Sequence, residues 1–410
     1  MKFRGSCIIL CAVLAALCLS CCDRSDDEDN RLDKTVVVYM VAENSLAVGD
    51  FHRLDLNEMV SVVGDIPKNS RVVVYLDDTA YPHIYSIEKT KDGTNLKVLK
   101  EFTSDADSCD PQMLKDVMAF VTHKYPSKSY GLVFWSHGLG WLPAAASRAP
   151  QMRSIGVDNG RNSTTGGGSV MEIEELAEAL DEVKDLDFIM FDACFMQNVE
   201  VAYELRHVTN YVIASPAEIP NPGAPYDAIL PLMVKEKADV RGIIESYYNY
   251  YALNDVYIRE NSGYKFGALL SVIDCRRLDN LQSVTQQMIA KYGSMDEDKA
   301  LENVLRYYPN SSSVFPEFFD MKAYMHHLIG AGSEWQMWLT SFNAAVPYAE
   351  ATDWWYSSYS SNGYMYVNNP ADYGGVAMYV PEPGNYFIQK NKWFRDTSWY
   401  SVSGWPEVGW

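Results

Sequence analysis

The sequence predicts an α/β protein in which helices sandwich an open, mostly parallel sheet, with additional α/β elements in the C-terminal part. Apolar β-branched runs such as "TVVVYMVA" have the pattern of strands covered on both faces. Segments with helical spacing separate these runs from residue 34 to residue 215. The composition, 48% hydrophobic and 21% charged, is that of an ordinary globular protein with ample core.

A strand, a helix and a second strand begin the sheet. "TVVVYMVA" is followed by "DFHRLDLNEMVSVV", in which Leu54, Met59, Val62 and Val63 recur at helical spacing, and then by the strand "RVVVYLDD". Two strands joined through a helix run parallel. Residues 82–102 then alternate around the turn "KDGT", which predicts a hairpin of antiparallel strands at one side of the sheet.

Further strands and helices alternate up to residue 215. A helix with Pro111 in its first turn leads into the third buried strand. The predicted order is the helix "PQMLKDVMAFVTHKY", the strand "YGLVFWSHG", the helix "EIEELAEALDEV", the strand "LDFIMFDAC", the helix "QNVEVAYELR" and the strand "NYVIAS". This order is typical of an open α/β sandwich.

Residues 236–410 are predicted to form an α/β part that packs on this core. "VRGIIESYYNYYAL" and "DCRRLDNLQSVTQQMIAKYG" indicate helices, and "YKFGALLSVI" and "YGGVAMYVP" indicate strands. The aromatic segments "DWWYSSYSSNGYMY" and "NKWFRDTSWYSVSGW" fit either ordinary half-buried packing or a binding surface for sugar or peptide. We favour packing.

The amino terminus predicts export. Lys2 and Arg4, the apolar run "CIILCAVLAALCL" and the ending "SCC" form a signal-peptide pattern over residues 1–21. "LSCC" resembles a bacterial lipobox, with Cys22 as the lipidated residue and Cys21 as the alternative. Residues 22–33 form an acidic tether, so we expect a lipid-anchored protein at the bacterial outer membrane or cell surface. An ordinary secretory signal followed by a solvated linker is the other interpretation.

Charge and cysteine placement restrict the function. The net charge of −20 argues against nucleic acid as a partner, because nothing offsets repulsion by phosphate. After residue 22 only Cys109, Cys194 and Cys275 remain, too few and too scattered for a disulfide framework or a metal site with short ligand spacing.

Two side chains that can carry out catalysis follow successive strands of the predicted sheet. His137 comes after "GLVFW" and Cys194 after "DFIMFDA". Because reactive groups in open α/β sheets gather beyond the carboxyl ends of the strands, we expect both at one edge. A thiol needs a base to attack a carbonyl at neutral pH, and an imidazole can supply one. The backbone N–H groups of Gly138 and Cys194 are the expected oxyanion donors, with Cys194 opening a helix whose dipole favours a thiolate.

A set of motifs resembles the clostripain family of cysteine peptidases, relatives of gingipains and caspases. The motifs are "YMVAENSL", "LDLNEM", "VVVYLDD", "YGLVFWSHGLGW", "FDACFMQNVEVAYELR", "YVIASPAEIPNPGAPYD" and "GGVAMYVP". The resemblance implies a caspase-like catalytic core over residues 34–235 and an endopeptidase that acts on protein or peptide substrates after Arg or Lys. It implies His137 as the base or acid and Cys194 as the nucleophile.

The resemblance also implies a specificity pocket for the basic side chain. Asp192 matches the acid at the floor of this pocket, although a cap on the following helix is the other role open to it. The family often continues its fifth strand with Ala-Ser-Glu-Glu, where this chain has "ASPAEIP". Glu218 is therefore the expected replacement for the second acid.

An irregular stretch around residues 141–170 is expected to be an activation loop. Family members are commonly activated by cutting themselves between the histidine and cysteine segments, and the loop offers Arg148, Arg153 and Arg161. Arg148 is the first choice. A surface loop with solvated arginines is the alternative.

No cofactor or metal is required by the predicted chemistry. The resemblance leaves calcium open, with acids such as Asp158 as ligands, although no EF-hand spacing is present. The competing function is a catalytically silent surface lipoprotein that binds glycan or protein through the same fold. A serine or metal hydrolase is disfavoured, since neither GxSxG nor HExxH occurs. The sequence makes no prediction about oligomeric state.

Overall fold

A nine-stranded, mostly parallel sheet organises the protein. The computed structural model describes residues 29–143, 154–160, 168–262, 265–293, 301, 303–307, 318–358, 360, 362–367, 369–384 and 387–410, with the backbone alone for residues 255–262. Leu32–Trp410 form one compact unit; of the separate unit Met1–Arg31, residues 29–31 are described. The predicted lipidation residues Cys21 and Cys22 lie outside the described residues.

The strands of the central sheet are β1 (Lys34–Val41), β2 (Ser70–Asp77), β3 (His83–Ile87), β4 (Leu96–Glu101), β5 (Tyr130–Trp135), β8 (Leu186–Asp192), β9 (Tyr211–Ala214), β10 (Leu269–Asp274) and β12 (Tyr348–Ala351). Their spatial order is β12-β10-β9-β8-β5-β1-β2-β3-β4. The five central strands, β9, β8, β5, β1 and β2, run parallel. The outer strands, β10 and β12 on one side and β3 and β4 on the other, pair antiparallel. The sheet thus continues beyond residue 235, because β10 and β12 belong to it.

Three small two-stranded sheets lie outside the central one. They pair β6 (Ile155–Asp158) with β7 (Ser169–Met171), β11 (Phe318–Asp320) with β15 (Ala377–Tyr379), and β13 (Trp354–Tyr356) with β14 (Tyr364–Tyr366). The predicted strand "YGGVAMYVP" therefore forms, but it joins β11 rather than the main sheet.

Helices cover both faces of the central sheet. They are α1 (Ser45–Val48), α2 (Phe51–Ser61), α3 (Pro111–Lys124), α4 (Ile173–Leu180), α5 (Val199–Glu204), α6 (Tyr226–Met233), α7 (Val240–Ser262), α8 (Leu278–Tyr292), α9 (Met321–Ile329), α10 (Ser333–Ala345), α11 (Ile388–Arg395) and α12 (Ser398–Val402). In the described part of the chain, no helix combines the length and the apolarity needed to cross a membrane.

The two-residue period of the strands explains why the protein has a hydrophobic cluster on each face of the central sheet. Along β1, Val37, Tyr39 and Val41 point into one hydrophobic cluster, and Val36, Val38 and Met40 into the other. Successive side chains of a strand face opposite sides, so a run that is apolar at every position needs cover on both. Helices α3, α4, α5 and α8 contribute to the first cluster, and α2, α6 and α7 to the second. The predicted α/β sandwich is confirmed.

The packing changes one detail of the sequence interpretation and supports another. Leu54, expected on the buried face of α2, is 55% exposed, whereas His52 and Asp55 of the same helix are buried. The aromatic C-terminal segments are largely core: Trp355, Trp399 and Trp405 are almost completely buried. This burial supports the packing interpretation of these residues.

Candidate active site

The register of the central sheet brings His137 and Cys194 to the same level. Strands β5 and β8 are parallel neighbours, and Trp135 pairs with Asp192 at the end of their ladder. His137 and Cys194 each follow two residues later. Both side chains line one cavity at the carboxyl ends of these strands. Along the sheet, the chain proceeds from β1 to β2 on one side and later to β5 on the other side of β1. Ligands in open α/β folds usually bind near such a change of direction, at the carboxyl ends of the strands.

Cys194 is presented by a tight turn and not by a helix. The residue after it, Phe195, has a φ of 58°, a left-handed conformation that costs a non-glycine residue about 1–3 kcal/mol. The Phe195 N–H donates to the Ala217 carbonyl at 2.9 Å and so fixes the turn against the segment after β9. Helix α5 begins only at Val199, with Asn198 as its N-cap. The predicted helix dipole at Cys194 is therefore wrong.

The Cys194 thiol is protonated at neutral pH in this environment. Burial raises the pKa of Cys194 to about 12, and the Glu218 carboxylate contributes in the same direction. The Ile219 N–H lies 3.3 Å from Sγ and opposes the shift. Because a neutral thiol is a weak nucleophile, attack requires removal of its proton by a base.

His137 is a neutral imidazole held by a short helix after β1. Burial lowers its pKa to about 4. Its Nε2 lies 2.9 Å from Oγ of Ser45 in α1. Asn44 caps that helix by accepting from the Leu46 N–H at 2.9 Å, and its amide donates to the Val41 carbonyl at 2.8 Å. Ser45 is a contact that the sequence analysis missed, since only the fold brings α1 beside the loop after β5.

Gly138 allows the histidine loop to pack against the cysteine turn. A Cβ at this position would lie 2.8 Å from the Cys194 carbonyl oxygen and 2.8 Å from Sδ of Met196. Gly138 bridges to Ile155 through bonds made by its neighbours: Leu139 N–H donates to Ser154, and Gly156 N–H donates to His137. These bonds do not use the Gly138 N–H, which is consistent with its predicted role as an oxyanion donor.

Asp192 forms an acidic part of the same cavity. It is 6% exposed and accepts hydrogen bonds from the Tyr226 hydroxyl at 3.0 Å and the Ala224 N–H at 3.3 Å. It does not cap α5, whose N-cap is Asn198, so the alternative role as a helix cap is wrong. Burial raises the pKa of Asp192 to about 6.

Glu218 lies in the same cavity lining, but its carboxylate is bound by the C-terminal part. Oε2 accepts from the Ser358 N–H at 3.0 Å, and Oε1 accepts from the Ser358 hydroxyl at 2.5 Å. Burial raises its pKa. Tyr356 and Ser358 thereby form one wall of the cavity. The second half of the chain thus completes the site, which local sequence patterns did not reveal.

The cavity measures about 200 Å³. Pockets for drug-sized ligands span roughly 300–1,000 Å³, so this volume suits one side chain rather than a large cofactor. Its other lining residues include Leu46, Trp135, Pro220 and Gly223. A partly apolar cavity with one buried acid suits the stem and the charged head of a long basic side chain.

A second acidic cluster lies at the ends of β1, β2 and β6. Glu43, Asp77 and Asp158 each place a carboxylate oxygen within 4.8 Å of the others. Ser108 donates its N–H to Asp158 Oδ2 at 2.7 Å and its hydroxyl to Asp77. Within the described residues, Asp77 Oδ1 is buried and has no hydrogen-bond partner. Oxygen donors of this kind fit calcium.

The predicted cleavage sites Arg148, Arg153 and Arg161 lie outside the described residues. The described parts of the same segment include β6 and β7, which pair with each other. Self-cleavage in this segment therefore stays a prediction.

Comparison with known proteins identifies relatives of this chain. The sequence model of the clostripain family matches residues 38–410. Clostripain from Hathewaya histolytica is 27% identical in an alignment of 221 residues, and the match covers 48% of this chain and 41% of clostripain. The match therefore spans less than half of that relative.

Two solved structures cover almost the whole chain. A secreted C11 cysteine protease from Bacteroides thetaiotaomicron, in complex with an irreversible peptide inhibitor, is 31% identical with a TM-score of 0.79. The similarity covers 92% of this chain and 99% of that one. An inactive zymogen C11 protease from Parabacteroides distasonis is 27% identical, with a TM-score of 0.74 over 91% of this chain and 98% of that one.

Proposed function

Because this chain belongs to the clostripain family of cysteine proteases, we propose that it is an endopeptidase that cleaves after Arg or Lys with Cys194 and His137. The Cys194 thiol proton passes to His137 as Sγ attacks the carbonyl carbon of the peptide bond. His137 then gives this proton to the leaving amine as the C–N bond breaks. A water molecule, deprotonated by His137, then attacks the acyl carbon, the C–S bond breaks, and His137 returns the proton to Sγ of Cys194. The N–H groups of Gly138 and Cys194 stabilise the oxyanion.

The observation that carries this proposal is the shared cavity of His137, Cys194 and Asp192. The neutral states of the thiol and the imidazole at pH 7 support a base mechanism, in which the proton moves as the bond forms. A preformed thiolate is not required. The mechanism uses no cofactor.

Basic selectivity is supported by Asp192. A buried carboxylate with only neutral hydrogen-bond donors gains most from a cationic ligand, because buried charges need pairing. An arginine head could bind the carboxylate with two parallel N–H bonds, and lysine with one ammonium group. Glu218, already bound to Ser358, would contribute charge from the cavity wall rather than a free carboxylate.

Replacement of Asp192 by Asn is expected to lower kcat/KM for Arg and Lys peptides roughly 100- to 1,000-fold, since a desolvated charge pair is lost.

For the wild type, kcat/KM on Arg and Lys peptides should fall as the pH decreases through about 6, where Asp192 takes up a proton. His137, with its pKa near 4, stays neutral at that pH and so does not cause this fall. Initial rates from pH 4.5 to 9 on a fluorogenic peptide panel measure both effects.

Asp116→Asn, at an exposed position of α3, is the matched control for this substitution. Peptides that differ only in the residue before the scissile bond separate selectivity from catalysis. If Asp192→Asn kept its preference for Arg and Lys over neutral residues, the assignment of Asp192 would be wrong. Absence of cleavage after any basic residue by the wild type would refute the basic selectivity itself.

Self-activation is part of the proposal. One of the solved relatives is described as an inactive zymogen, and the segment 141–170 of this chain carries arginines between the His137 and Cys194 motifs. We place the cut after Arg148, with Arg153 as the next choice. A protease with this selectivity would recognise its own arginine as a substrate.

We propose that calcium binds at Glu43, Asp77 and Asp158 and has a structural role there. The three acids lie in the core between β1, β2 and β6, and the cavity of His137 and Cys194 does not include them. Burial raises the pKa of Asp77 to about 8, so a cation would stabilise the ionised form. Backbone carbonyls or waters would supply the remaining ligands.

Calcium at about 100 times its Kd is expected to stabilise the protein by about 2.7 kcal/mol. Differential scanning fluorimetry with CaCl₂ or with a chelator should therefore give a higher Tm in calcium. The shift should disappear in Asp77→Asn and persist in Asp116→Asn. Equal Tm values in both conditions would show that this cluster binds no calcium.

Export and lipid anchoring complete the proposal. The related protease from B. thetaiotaomicron is described as secreted, which supports export of this chain. The lipobox-like "LSCC" supports attachment of lipid at Cys22 or Cys21. Mass spectrometry of the mature amino terminus tests the attachment: a free, unmodified terminus would contradict it.

A further inference from the structure

A further buried acid, Asp55 on α2, contacts the wall of the cavity through Trp135. Asp55 is 3% exposed, and its Oδ2 accepts a hydrogen bond from Trp135 Nε1 at 2.6 Å. A Cβ on Gly223 would lie 3.3 Å from Asp192 Oδ2 and 3.7 Å from Asp55 Oδ2. The carboxyl groups of Asp192 and Asp55 therefore both lie close to Gly223. Trp135 and Gly223 both line the cavity, whereas Asp55 does not.

The surroundings of Asp55 contain acids and hydroxyls. Within the described residues, the charged groups that act on it are acids, Asp192 of β8 and Glu58 of α2. The hydroxyl groups that interact with Asp55 belong to Tyr226 of α6 and to Tyr247 and Tyr251 of α7. Burial, followed by the charge of Asp192, raises the pKa of Asp55 to about 9. Two adjacent buried carboxyls without a cation cannot both ionise at neutral pH without a large cost.

We propose that Asp55 is a specificity-determining positioning residue that acts on the basic side chain of the substrate through Asp192 and Trp135. The inference rests on the proposed function, and it adds to Asp192 and Glu218 a further acid, to which the sequence analysis gave no role. Asp55 fixes the Trp135 indole in the cavity wall. It also forms, with Asp192, a pair of buried acids, and the cation of the substrate neutralises part of their charge.

The pair couples substrate binding to proton release. With the cavity empty at pH 8, the pair holds one proton, on Asp55. A guanidinium or ammonium group beside Asp192 favours the doubly ionised pair, so the proton leaves the Asp55 carboxyl for the buffer. No other bond forms or breaks in this step. By linkage, loss of the proton strengthens binding of the cation to the same extent.

The first test compares pH profiles of the wild type and Asp55→Asn. Asparagine keeps an oxygen to accept from Trp135, so the hydrogen bond and the volume are preserved. We expect kcat/KM of the wild type on an Arg peptide to keep rising from pH 7 to pH 9. The variant should lose this rise and show a roughly tenfold higher KM at pH 9, with kcat unchanged. Asp227→Asn, an exposed position at the start of α6, is the matched control.

A peptide with Gln before the scissile bond separates this role from a structural one. If Asp55→Asn raised KM equally for the Arg and Gln peptides, or lowered kcat for both, Asp55 would be merely structural and the inference would be wrong. A pH profile identical to that of the wild type would also overturn it.

Calorimetry provides a second test that needs no change at Asp55. An uncleaved Arg peptide is titrated into the Cys194→Ala protein at pH 8, in two buffers of different ionisation enthalpy. We expect net release of up to one proton per peptide bound, and none with the Gln peptide. Binding without proton release refutes the role of Asp55 alone, whereas failure of the wild type to cleave basic peptides refutes the proposed function.

Discussion

Replacing Cys194 by alanine is expected to lower kcat/KM at least about 10⁴-fold, because the variant lacks the thiol that forms the acyl-enzyme. The cavity contains the Cys194 thiol together with His137 and Gly138, and this thiol is half-buried at the cavity wall. The measurement is the rate of cleavage of fluorogenic Arg and Lys peptides by purified protein. Peptide binding, followed by calorimetry, should survive in the variant.

Cys275→Ala is the matched control, since Cys275 is a buried residue directly after β10 and does not line the cavity. It should retain activity close to that of the wild type.

The same proteins test self-activation on a denaturing gel. The wild type should convert to two chains, and Cys194→Ala should remain one chain. Retained peptidase activity in Cys194→Ala would refute the mechanism, and a wild type that remains one chain under active conditions would refute self-cleavage.

Replacing His137 by alanine is expected to lower kcat about 10²- to 10⁴-fold, with KM changed little. The reason is the state of the thiol: with the pKa of Cys194 near 12, hardly any thiolate forms at pH 7 without a base. In the variant, the residual rate should rise steadily with pH up to 10, because hydroxide must replace the imidazole. The wild type should show no such steep dependence above pH 7 on a peptide with a neutral residue before the scissile bond.

His123→Ala, at an exposed position of α3, is the control for this variant. Added imidazole offers a further check, since it can enter the space left by the missing ring and restore part of kcat. A His137→Ala protein with more than a tenth of wild-type kcat at pH 7 would show that His137 is not the base.

Alternation of strands and helices made the fold predictable. Runs such as "TVVVYMVA" are apolar at every position, and such runs require cover on both faces of a parallel sheet. The same reasoning placed His137 and Cys194 at one sheet edge, which the register of β5 and β8 confirms. The periodicity of α2 was less informative. Asp55 lies four residues before the buried Met59 and so shares its face, but a buried acid was not expected there.

The electrostatic expectation at Cys194 was wrong for a related reason. The pattern "QNVEVAYELR" predicted a helix, and α5 forms, but the sequence did not show that four residues of turn separate Cys194 from it. A helix N-terminus acts over about one turn, so this offset removes its effect on the thiol. Desolvation then dominates, and it raises the pKa of Cys194 instead of lowering it.

The sequence by itself determined the elements of the sheet and the residues that end them, because local polarity patterns follow the strand and helix periods. It also supplied the two candidate catalytic side chains, His137 and Cys194. Only the tertiary structure decided their partners. Ser45 reaches His137 across 92 residues, and Ser358 reaches Glu218 across 140. The burial that sets the pKa values of Cys194, Asp192 and Asp55 arises from such distant segments, and no local pattern encodes it.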